Sequence, residues 1–359
     1  MVNPAARLIA FYLPQFHPIP ENDEWWGKGF TEWTNVAKAK PFFPGHYQPH
    51  IPADLGFYDL RVPETRLAQA EMARQHGIEG FCYYHYWFAG KRLLERPFNE
   101  VLKSREPSLP FCLCWANETW SGKWHGCPDR VLIEQTYPGP EDDAQHFAVL
   151  AEAFADDRYL KVDDKPLLVV FSPKGLPEPR RTTDLWRDLA RRRGFPGLHL
   201  VGVGNAPWSP GESGFDAATP ENLPRAKWVD GESGRTRPLK RSLRRMLHYP
   251  LEVYPYEKAI RYFLVPEGAD ARVYPCVIPN WDNTPRCGLA GRVLHKSTPK
   301  LFRRHLRATL DQVAHKPLDH RIVFIKSWNE WAEGNYLEPD LKYGYGYLEA
   351  IRSELNGLG

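Results

Sequence analysis

The stretch RIVFIKSWNEWAEGNYLEPD, Arg321 to Asp340, sets three carboxylates, Glu330, Glu333 and Glu338, around Trp328, Asn329 and Trp331, directly after an apolar run. Paired carboxyl groups break glycosidic bonds: one protonates the leaving oxygen and the other acts opposite it. Glu330 and Glu333 are three residues apart, a spacing that puts them on opposite faces of a continuing strand. In a tight turn or a first helical turn the same spacing puts them on one face, and Gly334 permits such a turn. Burial beside Trp328 and Trp331 is expected to raise one carboxyl by desolvation, giving a proton donor usable near neutral pH. The plainer account has one glutamate capping a helix and the other in a salt bridge. Glu338 precedes Pro339 and reads as structural or peripheral, while Glu32 in GFTEW serves equally well as a turn cap or a site residue.

These residues need elements to position them. Apolar, β-branched or aromatic runs begin at Leu8, Ile78, Pro110, Pro166, Leu198, Phe215, Ala271 and Arg321, with helix-length segments between most of them. The run at Phe215 is the weakest of the eight. VPETRLAQAEMARQHG carries Pro63 near its start and Gly77 just past its end, as helix-boundary chemistry predicts. Eight strand–helix units predict a (β/α)8 barrel of one domain spanning residues 1–359. A doubly wound open sheet is the alternative, disfavoured because PQFHPIPEND stands where its Gly-rich phosphate turn belongs.

Polar and aromatic residues collect at the C-terminal ends of these runs, the rim where barrel active sites sit. Tyr12, Gln15 and His17 follow the first run; Tyr84, His85 and Trp87 close the second; Trp115, Asn117, Glu118 and Trp120 end the third. Asn280, Trp281 and Asp282 end the seventh, and Trp33 lies in GFTEW. All are expected to bind substrate. The chain has 13 Trp, 17 Tyr and 18 Phe, more indole than a core requires, and flat aromatic faces suit pyranose rings. Carbohydrate is the first ligand class to consider.

The remaining chemistry is weaker. A net charge of +3 is too small to imply nucleic acid or a membrane surface. The basic run RPLKRSLRRM, Arg237 to Met246, reads as a solvated helix face, with a phosphate-bearing lipid carrier as the alternative. His46 and His50 are four apart, but Pro49 argues against a helix presenting both to zinc, and no metal or cofactor is expected. No Walker loop or nucleophile elbow is present. The six Cys lack paired zinc spacing and read as reduced thiols. MVNPAARLIAFYLPQF has neither a long apolar core nor a cleavage site, and no run approaches a membrane span, so a cytoplasmic location is expected.

FYLPQFHPIPENDEWWGKGFTEWTNV, HYQPHIPADLGFYD, GFCYYHYWF, FCLCWANETW and SWNEWAEGNYLEPD resemble the WbsX-like family of polysaccharide gene clusters, from about Leu8 to Tyr347. That family looks like a relative of glycoside hydrolase family 99, the endo-acting α-mannosidases and α-mannanases. The resemblance implies a (β/α)8 barrel and a metal-independent retaining mechanism. It also implies that Glu330 takes the proton of the sugar 2-hydroxyl, so that the freed oxygen forms a 1,2-anhydro sugar, with Glu333 as acid and then base. Ala332 and the WANETW segment depart from the hydrolase pattern. Three functions are therefore carried forward: a glycosidase or transglycosidase on α-linked mannose-like or deoxyhexose residues, a glycosyltransferase of O-antigen or capsule synthesis, and a non-catalytic glycan-binding barrel.

Overall fold

The computed structural model describes residues 6–122, 130–205, 207–233, 251–266 and 272–357. The basic run 237–246 lies outside the described residues.

All eight apolar runs become strands of one parallel sheet: β1 (Arg7–Tyr12), β2 (Gly80–Phe88), β3 (Phe111–Trp115), β4 (Lys165–Val170), β5 (His199–Val203), β6 (Ala217–Thr219), β7 (Cys276–Val277) and β8 (Ile322–Ile325). The spatial order from β6 back to β1 and on through β8 to β7 leaves one seam, between β6 and β7. A bridge at Ala218 and Val273 closes it: Ala218 donates to the Arg272 carbonyl at 2.9 Å, and Tyr274 donates back to Ala218 at 2.8 Å. Strand β6, from the weakest run, is short because that bridge and its pairing with β5 are all it must make. The architecture is the (β/α)8 barrel.

Every residue of β2, β3 and β8 is buried. Helices on the outside and side chains inside leave neither face to water, which is why these strands read as unbroken apolar runs. The helix α1 (Pro63–Gln75) starts on Pro63 and stops at Gly77, which takes φ +84°. Farther along, α2 (Pro140–Phe154) supplies His146 to the outer face of β2 and β3, and α3 (Pro299–Val313) is capped by Thr298, whose hydroxyl accepts from Leu301 N–H. Cys82, Cys112, Cys114 and Cys276 are buried free thiols on the strands. No helix among the described residues is long and apolar enough to cross a membrane.

Candidate active site

Strand β8 ends at Ile325, and the chain then turns back on itself. Asn329–Glu330 pairs antiparallel with Asn335–Tyr336, and Trp331–Glu333 between them forms one 3-10 turn closed by Gly334 N–H on the Trp331 carbonyl at 2.9 Å. Gly334 takes φ +57°, and a β-carbon there would lie 3.0 Å from Asp282, so glycine is favoured on both counts. This turn is what gives residues three apart a common face. Glu330 and Glu333 both line a cleft of ≈ 860 Å³ at the C-terminal ends of the strands.

One guanidinium ties them together. Arg286 Nη1 lies 3.3 Å from Glu330 Oε1 and 2.7 Å from Glu333 Oε1, while its Nε donates to Glu32 at 3.1 Å. Sharing one nitrogen keeps the two facing oxygens within about 6 Å, below the ~6.5–9.5 Å of inverting carboxyl pairs. The other Glu330 oxygen, Oε2, is buried with no hydrogen-bond partner. Lys326 is the second cation, directly after β8 and lining the same cleft. Burial pulls its ammonium down, but the Glu330 and Glu333 charges outweigh that and leave it raised.

Glu333 is pushed up to about 8, by burial first and by the Glu330 charge second, against the pull of Arg286 and Lys326. The direction conflicts with a naive view of the 2.7 Å ion pair, yet the charge count supports it. Three carboxyl groups, Glu32, Glu330 and Glu333, face two cations, Arg286 and Lys326, so one retained proton makes the buried cluster neutral. Desolvated sites favour that state.

The predicted site residues divide sharply. Gln15, Tyr84, Glu118, Trp120, Trp281, Glu330 and Glu333 line the cleft. Glu118 is open to solvent there, though surrounding protein and the Glu221 charge still raise its carboxyl. The others lie elsewhere, and the strand pleat explains most of them, because successive side chains point to opposite faces. On β2, Tyr84 and Tyr86 enter the cleft, while His85 turns outward to His146 (Nε2···Nε2 2.9 Å) and Trp87 stacks on the same ring and donates to Asp142. Trp115 packs outward against His146 and Trp186. Tyr12 is buried and donates to Gln69, and His17 is held by the Pro14 carbonyl.

Asn117 and Asn329 are used up by backbone groups: Asn117 exchanges bonds with Ser172, and Asn329 with Leu13. Trp33 donates to the Tyr58 carbonyl behind the cleft. Trp328 packs on Phe81, and Trp331 stacks on Tyr336 with centroids 3.8 Å apart. Those two indoles therefore back the turn that carries Glu330 and Glu333 and do not wall its pocket, a correction to the sequence expectation. The cleft's aromatic wall, among the described residues, is Trp281, Trp120, Trp26, Tyr84, Tyr86, Phe30 and Phe171. Asn280 and Asp282 line a separate cavity of ≈ 260 Å³ behind the turn, where Asp282 accepts from Gln48 and binds His46 at 2.6 Å. His50, lining the same cavity, bonds the Tyr336 hydroxyl, so each histidine has a protein partner of its own. Among the described residues no group of three or more His, Cys, Asp or Glu is arranged to hold a metal.

Sequence reasoning missed Arg286 and Lys326. Arg286 sits in a four-residue helix, Thr284–Cys287, with no periodic signal, and Lys326 hides at the end of an apolar run. Glu32, weighed evenly between cap and site, is in the cleft and on Arg286.

A sequence model of the family described as Glycosyltransferase WbsX matches residues 8–351. The chain belongs to the WbsX family. It is 44% identical to the Uncharacterized protein WxcX of Xanthomonas campestris pv. campestris, in strain B100 and in strain ATCC 33913, over 354 residues. That alignment takes in 98% of this chain and 50% of the relative, so the chain spans about half the length of the curated relatives it matches. Among solved structures it is similar to a Glycoside hydrolase-like protein (TM-score 0.60, 15% identity, 99% of this chain and 95% of that one). It is also similar to the GH99 endo-alpha-mannosidase from Bacteroides thetaiotaomicron (TM-score 0.59, 13% identity, 98% and 97%). At such identities the likeness establishes the fold.

Proposed function

We propose that this WbsX-family chain is a retaining glycosidase or transglycosidase acting on α-linked mannose-like or deoxyhexose residues of a bacterial polysaccharide. The observation that carries it is the turn holding Glu330 and Glu333 on one face, joined through Arg286 and opening on an aromatic cleft. Glu330, which lines the cleft beside Arg286, takes the proton of the sugar 2-hydroxyl. The freed oxygen attacks the anomeric carbon and forms a 1,2-anhydro ring as the bond to the leaving oxygen breaks. Glu333, protonated at neutral pH, supplies the proton to that leaving oxygen. It then takes a proton from an incoming water or hydroxyl, which opens the anhydro ring while Glu330 returns its proton to the 2-oxygen. Both steps invert the anomeric centre, so the net outcome is retention. The scheme belongs with the substrate-assisted exceptions to the two-carboxylate rule.

Transfer to a sugar acceptor, in polysaccharide assembly, is the second reading, and the family description favours it. The test is a panel of α-linked mannose, rhamnose and fucose oligosaccharides, with and without alcohol acceptors, read by mass spectrometry. Products that vanish in Glu333→Ala and Glu330→Gln are expected. Unchanged turnover in both variants removes the mechanism, and turnover only with nucleotide sugars establishes the glycosyltransferase.

A further inference from the structure

The ammonium of Lys326 is the most conspicuous unspent group in the cleft. It follows the last barrel strand, and its backbone N–H is fixed on the Val277 carbonyl at 2.9 Å. Its Nζ sits 5.2 Å from the Phe171 ring centroid and 5.3 Å from that of Trp281. Among the described residues it has no hydrogen bond and no ion pair. Ring faces attract a cation but accept no directed hydrogen bond of ordinary strength, so three N–H donors are left without acceptors. Trp281, nine-tenths buried on the same cleft wall, has an indole N–H that is likewise without an acceptor.

Acceptors are unspent too. The Glu330 Oε2 atom is buried without a donor. Glu118 and Glu221, exposed on the cleft lining, have no side-chain hydrogen bond or ion pair among the described residues. Lys326 as donor and Glu118 and Glu221 as acceptors thus line one cavity with their hydrogen bonds unmade, which is the pattern a ligand with both kinds of group would complete. A hydroxylated ring is such a ligand, because each hydroxyl donates once and accepts twice.

Charge narrows the class. Around Lys326 stand Glu118, Glu221, Glu330 and Glu333, with Glu32 behind them, and among the described residues Arg286, Arg292 and Lys174 are the further cations of the lining. Arg292 is already bound to Glu252 at 2.6 Å, and Arg286 to its three carboxylates. Lys326 and Lys174, the ammonium groups left over among the described lining residues, do not offset the cost of bringing a phosphate or uronate among so many carboxylates.

We infer that Lys326 anchors a sugar subsite beside the Glu330–Glu333 pair by donating to ring hydroxyl oxygens, and that Glu118 and Glu221 restrict this subsite to uncharged, polyhydroxylated residues. The inference rests on the glycan-cleaving assignment of the cleft and specifies its substrate class.

The test measures binding, by calorimetry at low ionic strength, of α-linked mannose, rhamnose and fucose trisaccharides, with the mannose 6-phosphate form of mannotriose and an α-linked galacturonate trimer beside its methyl ester. At least one neutral trisaccharide is expected to bind, and in each matched pair the charged member is expected to bind at least tenfold more weakly than its neutral partner. Lys326→Met is expected to weaken the neutral ligand about tenfold, with Lys326→Arg restoring part of the loss and thermal melts confirming that both variants fold. Glu118→Gln combined with Glu221→Gln is expected to narrow the penalty on the charged member. Binding by no neutral trisaccharide, tighter binding of a charged member, or full affinity in a folded Lys326→Met protein each overturns the inference. Lys326-dependent binding without any bond cleavage keeps the subsite and removes the glycosidase. Cleavage indifferent to Lys326 does the reverse.

Discussion

Glu333 and Glu338 lie five residues apart, and both are buried acids, yet their surroundings differ in kind. Glu338 accepts from Tyr58 at 2.9 Å, Gln69 at 2.6 Å and the Trp331 indole at 2.6 Å. Burial raises it to about 7, and those donors restrain the rise. Glu333 has Arg286 and a cavity, and the neighbouring Glu330 charge adds to burial to carry it to about 8. A raised carboxyl therefore does not distinguish chemistry from architecture. What does is whether the donors around the acid come from the protein or are left for a ligand. Glu338 locks Trp331 and hence the back of the turn; Glu333 faces the cleft with it.

The sharpest break of the comparison is substitution of each acid in turn. Glu333→Gln is expected to cost about 10²–10⁴-fold in turnover while the protein stays folded, whereas Glu338→Ala is expected to lower stability by about 3 kcal/mol through three orphaned donors. Turnover and denaturant melts on both proteins check this. Arg286→Met comes next. Arg286 pulls Glu333 down, so its loss is expected to move the alkaline limb of the activity profile, otherwise near pH 8, to higher pH. A pH–rate profile reads that shift.

Stability should carry the mark of both acids. Each folded-state value is raised above the ordinary 4.5, so the native state holds protons that the unfolded chain releases. Stability is expected to fall as pH rises from about 4.5 towards 7 for Glu338 and towards 8 for Glu333. Glu333→Gln should remove the upper part of that decline, as melting temperatures between pH 5 and 8.5 would record. The smallest effect is expected from Trp87→Phe, on the outer face of β2. It loses one hydrogen bond to Asp142, about 1 kcal/mol, and should leave glycan affinity unchanged in calorimetry.

The barrel was legible because its strands are buried on both sides, which imposes long apolar runs that no loop shares. Even β6 carried enough of that signal in Phe215–Glu221 to be counted. The shared face of Glu330 and Glu333 was legible because Gly334 announced a turn and the two acids stood at i and i+3. The substrate wall was only half legible. Strand-end composition marks the rim but not the face, and one residue of offset sends Tyr84 into the cleft and His85 into the helix layer. Asn117 and Asn329 looked like sugar binders because amides suit hydroxyls, yet the loops they close needed those amides first.

Sequence alone determined the order of eight strands, the bend after the last of them and the two acids on that bend, since each is a local consequence of residue type and spacing. Tertiary structure decided which indoles meet the cavity, which glutamate is satisfied by protein donors, and that Arg286 and Lys326 join the acids. Those outcomes depend on groups as far apart in the chain as Glu32 and Arg286 arriving at one place. Electrostatic energy depends on distance in space, and no spacing along the chain encodes it.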